Sequence, residues 1–189
     1  MNDMIKVLGI PGSLRKDSYN LALLNAAIEL KPDNMEITVF RLDDIPLYNE
    51  DVQNEKEPES VIKLKNALAE SDGLLIASPE YNYSIPGVLK NAIDWASRPP
   101  ASTPLNNMPL GIIGSSKGIS GTAKAQHHFR QVAVFTNMHT MNKPEVQVTN
   151  HVEKFKDGKL TDEPTRAHLE KFMKAFEQWI LIFKNLKGK

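Results

Sequence analysis

The chain has no cysteine among its 189 residues. Thiol catalysis, cysteine-ligated metals and iron–sulfur clusters are thereby excluded. Any redox chemistry must be carried by a bound cofactor. There is also no excess charge of either sign, with 23 Lys plus Arg against 23 Asp plus Glu. Nucleic acid and anionic membrane surfaces select a basic excess, so neither is expected as a main partner. Long apolar runs are missing as well. Gly73–Ala77 and Ile180–Phe183 fall far short of the ~20 residues that span a bilayer. Met1–Gly9 carries an Asp and a single Lys and runs straight into a fold-like pattern, so no signal peptide is expected and the default location is the cytoplasm.

What is there is an alternation of short apolar runs and helical patterns, of a length suited to a single domain over 1–189. Met4–Ile10, Gly73–Ser78 and Pro109–Gly114 read as buried strands, Met35–Phe40 as an alternating one and Glu145–Val148 as a short fifth. Helices are expected over Asn20–Leu30, Val61–Glu70 with Ser60 as a cap, Pro86–Trp95 with Pro86 as first residue, and Thr122–Thr136. Asp43–Glu59 reads as a long surface loop. In the last helix Leu169, Phe172, Met173, Phe176, Trp179, Ile180 and Phe183 recur at steps of three and four, a stripe suited to packing on a sheet. Strands alternating with helices imply an α/β fold: a doubly wound, five-stranded parallel sheet with helices on both faces. Such sheets bind ligands beyond the carboxyl ends of their strands.

Three loops stand at those ends. Gly12–Asn20 joins a strand to a helix N-terminus, where free N–H groups and the helix dipole favour an anion. Ser13, Ser18 and Asn20 add neutral donors and Arg15 a charge-assisted fork, the equipment for a phosphate dianion. Neither G-x-x-x-x-G-K-[ST] nor G-x-G-x-x-G is present, which argues against a nucleoside triphosphatase and a dinucleotide fold. Ser78–Gly87 is stiffened by two prolines around Tyr81, Asn82 and Tyr83, and suits the edge of a flat heterocycle. Gly114–Gly121 is small, polar and glycine-rich, allowing backbone to approach a ring. Together the loops fit a phosphate, a short spacer and a planar polar ring: a flavin mononucleotide (FMN).

The segments GSLRKDSYN, PEYNYSIPGVLKNAIDWASRP, GSSKGISGTAKAQHHFRQ and MNKPE resemble the NADPH-dependent FMN reductase family, most of all its bacterial quinone, chromate and azo reductases. The resemblance runs from about Met4 to Glu145. It implies a flavodoxin-like fold with strand order 2-1-3-4-5 and a homodimer or homotetramer. It maps the phosphate loop onto Ser13, Arg15, Ser18 and Asn20, and the isoalloxazine loop onto Pro79, Glu80, Tyr81 and Asn82, with Ser115 nearby. Leu14 and Tyr19 complete the cofactor-binding set, and no side chain is assigned a catalytic role. Trp95 reads as either core or a subunit contact, and the resemblance, which implies that its helix lies at a dimer interface, favours the latter. Tetrameric relatives carry Arg and Tyr where this chain has Lys124 and His127, with Glu145 retained.

His127 and His128 cannot face one ligand together, and His139, His151 and His168 lack metal-binding spacing, so no metal is expected. The expected activity is FMN-dependent oxidation of NADPH or NADH, with hydride passing to the flavin N5 and on to a quinone, azo compound or chromate-like acceptor by a ping-pong route. The alternatives are a flavodoxin-type electron carrier and a non-catalytic flavin-binding partner protein.

Overall fold

The computed structural model describes residues 4–187; Met1–Asp3, the start of the segment judged not to be a signal peptide, lie outside the described residues. The first apolar run is strand β1 (Ile5–Pro11), buried at every residue but Lys6. Its side chains serve two cores, Ile5 and Val7 on one face, Leu8 and Ile10 on the other. Strand β3 (Gly73–Ala77) repeats this with Leu75 and Ala77 against Leu74 and Ile76. Strand β4 (Pro109–Ser115) does so with Ile113 against Leu110 and Ile112. A strand covered on both faces needs apolar residues throughout, which is why these segments read as continuous runs. Strand β2 (Met35–Val39) alternates, with Met35 and Ile37 buried and Glu36 and Thr38 exposed.

The order is β2-β1-β3-β4-β5, every neighbour parallel, which is the flavodoxin-like arrangement. The fifth position is split. Strand β5 (His139–Thr140) pairs with the start of β4, and strand β6 (Val146–Val148) pairs with its end. The single strand expected at Glu145–Val148 is therefore only the second piece. Two residues are too few for β5 to show any pattern.

Helices α1 (Tyr19–Glu29) and α6 (Glu163–Lys187) cover one face of the sheet. Helices α3 (Glu59–Ala69), α4 (Gly87–Ala96) and α5 (Ala123–Phe135) cover the other. Leu169, Phe172, Met173, Phe176 and Ile180 of the α6 stripe are buried. Burying each such side chain stabilises the fold by roughly 1.5–3 kcal/mol. Trp179 packs at the margin, its Nε1 donating to the His139 carbonyl at 2.8 Å.

Four expectations need correction. The loop at Asp43–Glu59 contains helix α2 (Glu50–Glu55), which buries no side chain and so carries no apolar signal. Asn49 caps it by accepting from the Asp51 N–H at 2.9 Å. Pro58, not Ser60, precedes α3, and its carbonyl accepts from the N–H groups of Val61 and Ile62. Pro86 stands just before α4 rather than opening it. Trp95 is wholly buried, with Nε1 donating to the Pro46 carbonyl at 2.8 Å and Tyr48 edge-on at 5.0 Å. It pins the segment ahead of α2 to α4 from inside the subunit, which is the core reading of this residue and not the favoured one.

A hairpin of β7 (Phe155–Lys156) and β8 (Lys159–Leu160), unforeseen in the sequence, packs Phe155 and Leu160 beside α1. No helix among the described residues is long and apolar enough to cross a membrane.

Candidate functional site

β1 and β3 are neighbours whose chains depart in opposite directions, one to β2 and the other to β4. The loops after them part and leave a crevice at the carboxyl ends. The loop after β4 closes a third side. The resulting cleft holds about 480 Å³, within the ~300–1,000 Å³ usual for small-molecule sites.

The first wall is Ser13, Arg15, Ser18, Tyr19 and Asn20. Ser18 caps α1, its Oγ accepting from the N–H groups of Asn20 at 3.2 Å and Leu21 at 3.4 Å. The hydroxyl hydrogen is not used in that role and can be given to a ligand. Ser13 Oγ accepts from the Arg15 N–H at 3.4 Å. Asn20, expected as a ligand donor, is mainly a clasp. Its Oδ1 accepts from the Ser115 N–H at 2.8 Å and its Nδ2 donates to the Ser115 carbonyl at 3.1 Å.

Leu14 is the one expected residue that does not line the cleft. Its side chain is exposed, and its carbonyl accepts from Arg41 Nη2 at 3.1 Å. Arg41 is itself paired with Asp43 at 2.8 Å, and that hydrogen-bonded pairing holds the Asp43 carboxyl below its usual range.

The second wall is Pro79, Glu80, Tyr81 and Asn82, as expected, with Tyr83 added. Tyr81 and Ser84 exchange two backbone hydrogen bonds at 3.0 Å. Between them Asn82 and Tyr83 both have left-handed backbones, at φ 52° and 65°. Two such residues mark a type I′ turn. Asn tolerates that conformation, whereas in Tyr it stores strain of order 1–3 kcal/mol.

Three ties to α5 hold the turn. Glu80 Oε2 accepts from the Ala125 N–H at 3.0 Å. Ser84 Oγ and His128 Nδ1 are 2.6 Å apart. Lys124 Nζ lies 3.7 Å from the centre of the Tyr83 ring. The Glu80 carboxylate thus satisfies an orphan donor at a helix N-terminus, where negative charge is favoured.

The third wall runs from Ser115 to Gly121, and Ser115 was its one expected member. Ser116 organises it, its Oγ donating to the Gly121 carbonyl at 2.5 Å and accepting from the Gly118 N–H at 3.2 Å. Gly114 beneath it allows β4 to meet the loop after β3. A Cβ there would lie 2.3 Å from Thr122 Oγ1 and 2.4 Å from the Ser78 carbonyl oxygen.

Lys117 and His151 also escaped the sequence reading. Lys117 was passed over within its glycine-rich loop, although it is the only cation there. His151 follows β6, and no motif marks it. Its ring is buried, stacks on Tyr19 at 4.0 Å and borders the cleft. Burial, then Lys117 and more weakly Arg15, push its imidazole below the ordinary value, against a hydrogen bond to Ser115. Arg15 and Lys117 are exposed and form no ion pair among the described residues. Arg15 and Lys117 outnumber Glu80, the one carboxylate that lines the cleft, so its charged lining is positive on balance.

The sequence profile of NADPH-dependent FMN reductases matches residues 5–153. The chain belongs to that family. An NAD(P)H-dependent FMN reductase of Pseudomonas aeruginosa is 48% identical over 181 residues, covering 95% of this chain and 97% of the relative. A 2-hydroxy-1,4-benzoquinone reductase of a Burkholderia species is 39% identical, covering 93% and 96%. Among solved structures, the flavoenzyme NAD(P)H:acceptor oxidoreductase FerB of Paracoccus denitrificans superposes with a TM-score of 0.88 at 37% identity, covering 95% of this chain and 98% of that one. As an FMN reductase family member, the chain is an FMN-dependent oxidoreductase enzyme.

Proposed function

We propose that the cleft holds FMN and that the enzyme uses it to oxidise NADPH or NADH and reduce a quinone, with azo compounds and chromate as further acceptors. The observation that carries this is the pairing, in one cleft, of two unlike ends. One end is the α1 N-terminus with the Ser18 hydroxyl and the exposed Arg15; the other is the braced turn at Tyr81–Ser84. The donor set fits the cofactor, since Arg15, Ser13, Ser18 and free N–H groups suit a terminal phosphate. Pro79–Asn82 and Ser115 suit the edge of a ring.

When bound, FMN supplies the hydride-accepting and hydride-donating ring. The chain's own residues hold and orient it. The ties of Glu80 and Ser84 to α5 keep the second wall from moving as ligands exchange, and oriented backbone dipoles at the α1 terminus and after β4 stabilise negative charge. The quinone reductase name borne by the Burkholderia relative at 39% identity supports a quinone acceptor. A homodimer is proposed from the family resemblance, with a tetramer less favoured because Lys124 lies on Tyr83 within the subunit.

Because a single cleft is proposed for nicotinamide and acceptor, the two bind in turn. Adding NADPH under argon should bleach the flavin absorption of the protein with no acceptor present. Initial rates at several fixed quinone concentrations should give parallel double-reciprocal lines. Intersecting lines would require both substrates bound together and reject the shared cleft. No bleaching by either nicotinamide would return the electron-carrier reading.

A further inference from the structure

Tyr83 stands where its turn has least use for it. Both central positions of a type I′ turn need a left-handed backbone, and Asn-Gly supplies it without strain. Here the pair is Asn82 and Tyr83, so that Tyr83, at φ 65°, takes the place of the glycine. Burial does not offset the strain, because Tyr83 is 71% exposed. Lys124 Nζ lies 3.7 Å from the ring centre, but an exposed cation–π pair contributes less than such strain costs. Yet Tyr83 lines the cleft, next to Pro79–Asn82. Strained residues cluster at ligand sites, where the strain serves the group that it presents.

We propose that Tyr83 binds the electron acceptor, its ring packing against the flat ring of a quinone, and that Lys124 is a positioning residue that fixes the Tyr83 ring. This rests on the reading of the cleft as the site of an FMN-dependent quinone reductase, and it names the residue that selects the acceptor. The position of Lys124 supports it. At 3.7 Å from the centre the ammonium lies over one face of the ring, which leaves the other face and the edge for a ligand. The exposure supports it as well, since the ring can be reached without displacing any part of the fold. Tyr83 belongs to the wall that suits the edge of the flavin ring, so a flat molecule laid on the flavin comes alongside it. Aromatic pairs favour offset stacks and edge-to-face contacts, either of which such an approach allows. An acceptor with no flat ring gains nothing from the contact. A second copy of the chain is the other candidate to cover an exposed aromatic; the place of Tyr83 on the cleft wall favours the substrate.

The test uses the full chain loaded with FMN, with NADPH as donor, and reads kcat/KM for two acceptors. Naphthoquinone is flat; ferricyanide is an octahedral ion with no face to stack on. Tyr83→Asn removes the ring and installs a residue suited to the left-handed backbone. With naphthoquinone kcat/KM should fall roughly 3- to 10-fold, the worth of one aromatic contact. With ferricyanide the loss should be absent. Tyr83→Phe, which keeps the ring, should recover the naphthoquinone value. The thermal midpoint of Tyr83→Asn should stay within about 4 °C of wild type, a small change for a chain of this length. Lys124→Met removes the charge and keeps an unbranched stem. Alone it should lower the naphthoquinone value by a smaller factor. Added to Tyr83→Asn it should lower it no further, because a residue that acts through the ring then has nothing to act on.

Equal losses with both acceptors, or no loss with naphthoquinone, would overturn the proposal. A midpoint lowered beyond that range would assign the ring to the fold, and a changed sedimentation coefficient would assign it to a contact between copies; either result overturns it too. Full additivity of Lys124→Met with Tyr83→Asn would remove the positioning role. A wild-type chain whose flavin neither nicotinamide reduces would instead overturn the reading of the cleft itself.

Discussion

Asn20 and Ser115 stand 95 residues apart in the chain and are joined by two hydrogen bonds, side-chain amide to backbone N–H and carbonyl. Both residues are buried, so water cannot replace the partner. Asn20→Ala should lower the unfolding free energy by about 2–4 kcal/mol, since two buried backbone groups lose their partner. Urea denaturation measures this, and a cost under about 0.5 kcal/mol would show that the clasp is dispensable. Asn20→Asp should be nearly as damaging at neutral pH, where its carboxylate faces the Ser115 carbonyl, and should recover in acid.

Arg15 is exposed and forms no ion pair among the described residues, so removing it should leave the fold intact. Arg15→Ala should weaken FMN binding by about 1.5–3 kcal/mol, the range for a hydrogen bond to a charged group, or ~10- to 150-fold. Riboflavin affinity should hardly change. Titration of both flavins by fluorescence quenching makes the comparison, and equal losses would assign Arg15 to the fold instead.

At Gly114 even one methyl group collides with backbone, because the Ser78 carbonyl cannot rotate aside as a side chain could. Gly114→Ala should destabilise by about 1–3 kcal/mol, the usual cost of overpacking. Thermal unfolding reads it, and an unchanged midpoint would mean that β4 and the loop after β3 separate easily.

The depressed titration of His151 gives stability a pH dependence. The unfolded chain takes up the proton near the ordinary 6.5, and the folded chain only at lower pH. The contribution of the neutral ring is therefore complete above about 6.5 and is lost as the pH falls through the folded value. The difference in unfolding free energy between wild type and His151→Phe should hold steady above pH 7 and decline on acidification from 6.5. A flat difference between pH 7 and 5 would contradict it.

The sheet was legible because β1, β3 and β4 are buried on both faces and leave a continuous apolar imprint. The first wall of the cleft was legible because its polar residues follow one another in sequence from Ser13 to Asn20. Their division of labour was not, since the capping by Ser18 and the clasp of Asn20 depend on groups that only the fold brings near. The outward turn of the Leu14 side chain was not legible for the same reason: its carbonyl is held by Arg41, which only the fold brings near. β5, α2 and the β7–β8 hairpin are too short or too exposed to leave a period. His151 reaches the cleft through the pairing of β6 with β4, a relation between distant segments that no local pattern records.

The break in the fifth strand bears on how molecules of this protein meet one another. A sheet edge exposes unpaired N–H and C=O groups, and a long flat edge is a template for a foreign strand. Here that edge consists of a two-residue piece and a three-residue piece, with the chain leaving the sheet at residues 141–145. An approaching strand finds no continuous row long enough to hold its register. Fusing the two pieces into one regular strand would extend the sheet and at the same time open it to self-templated stacking, so the interruption acts as a guard against aggregation.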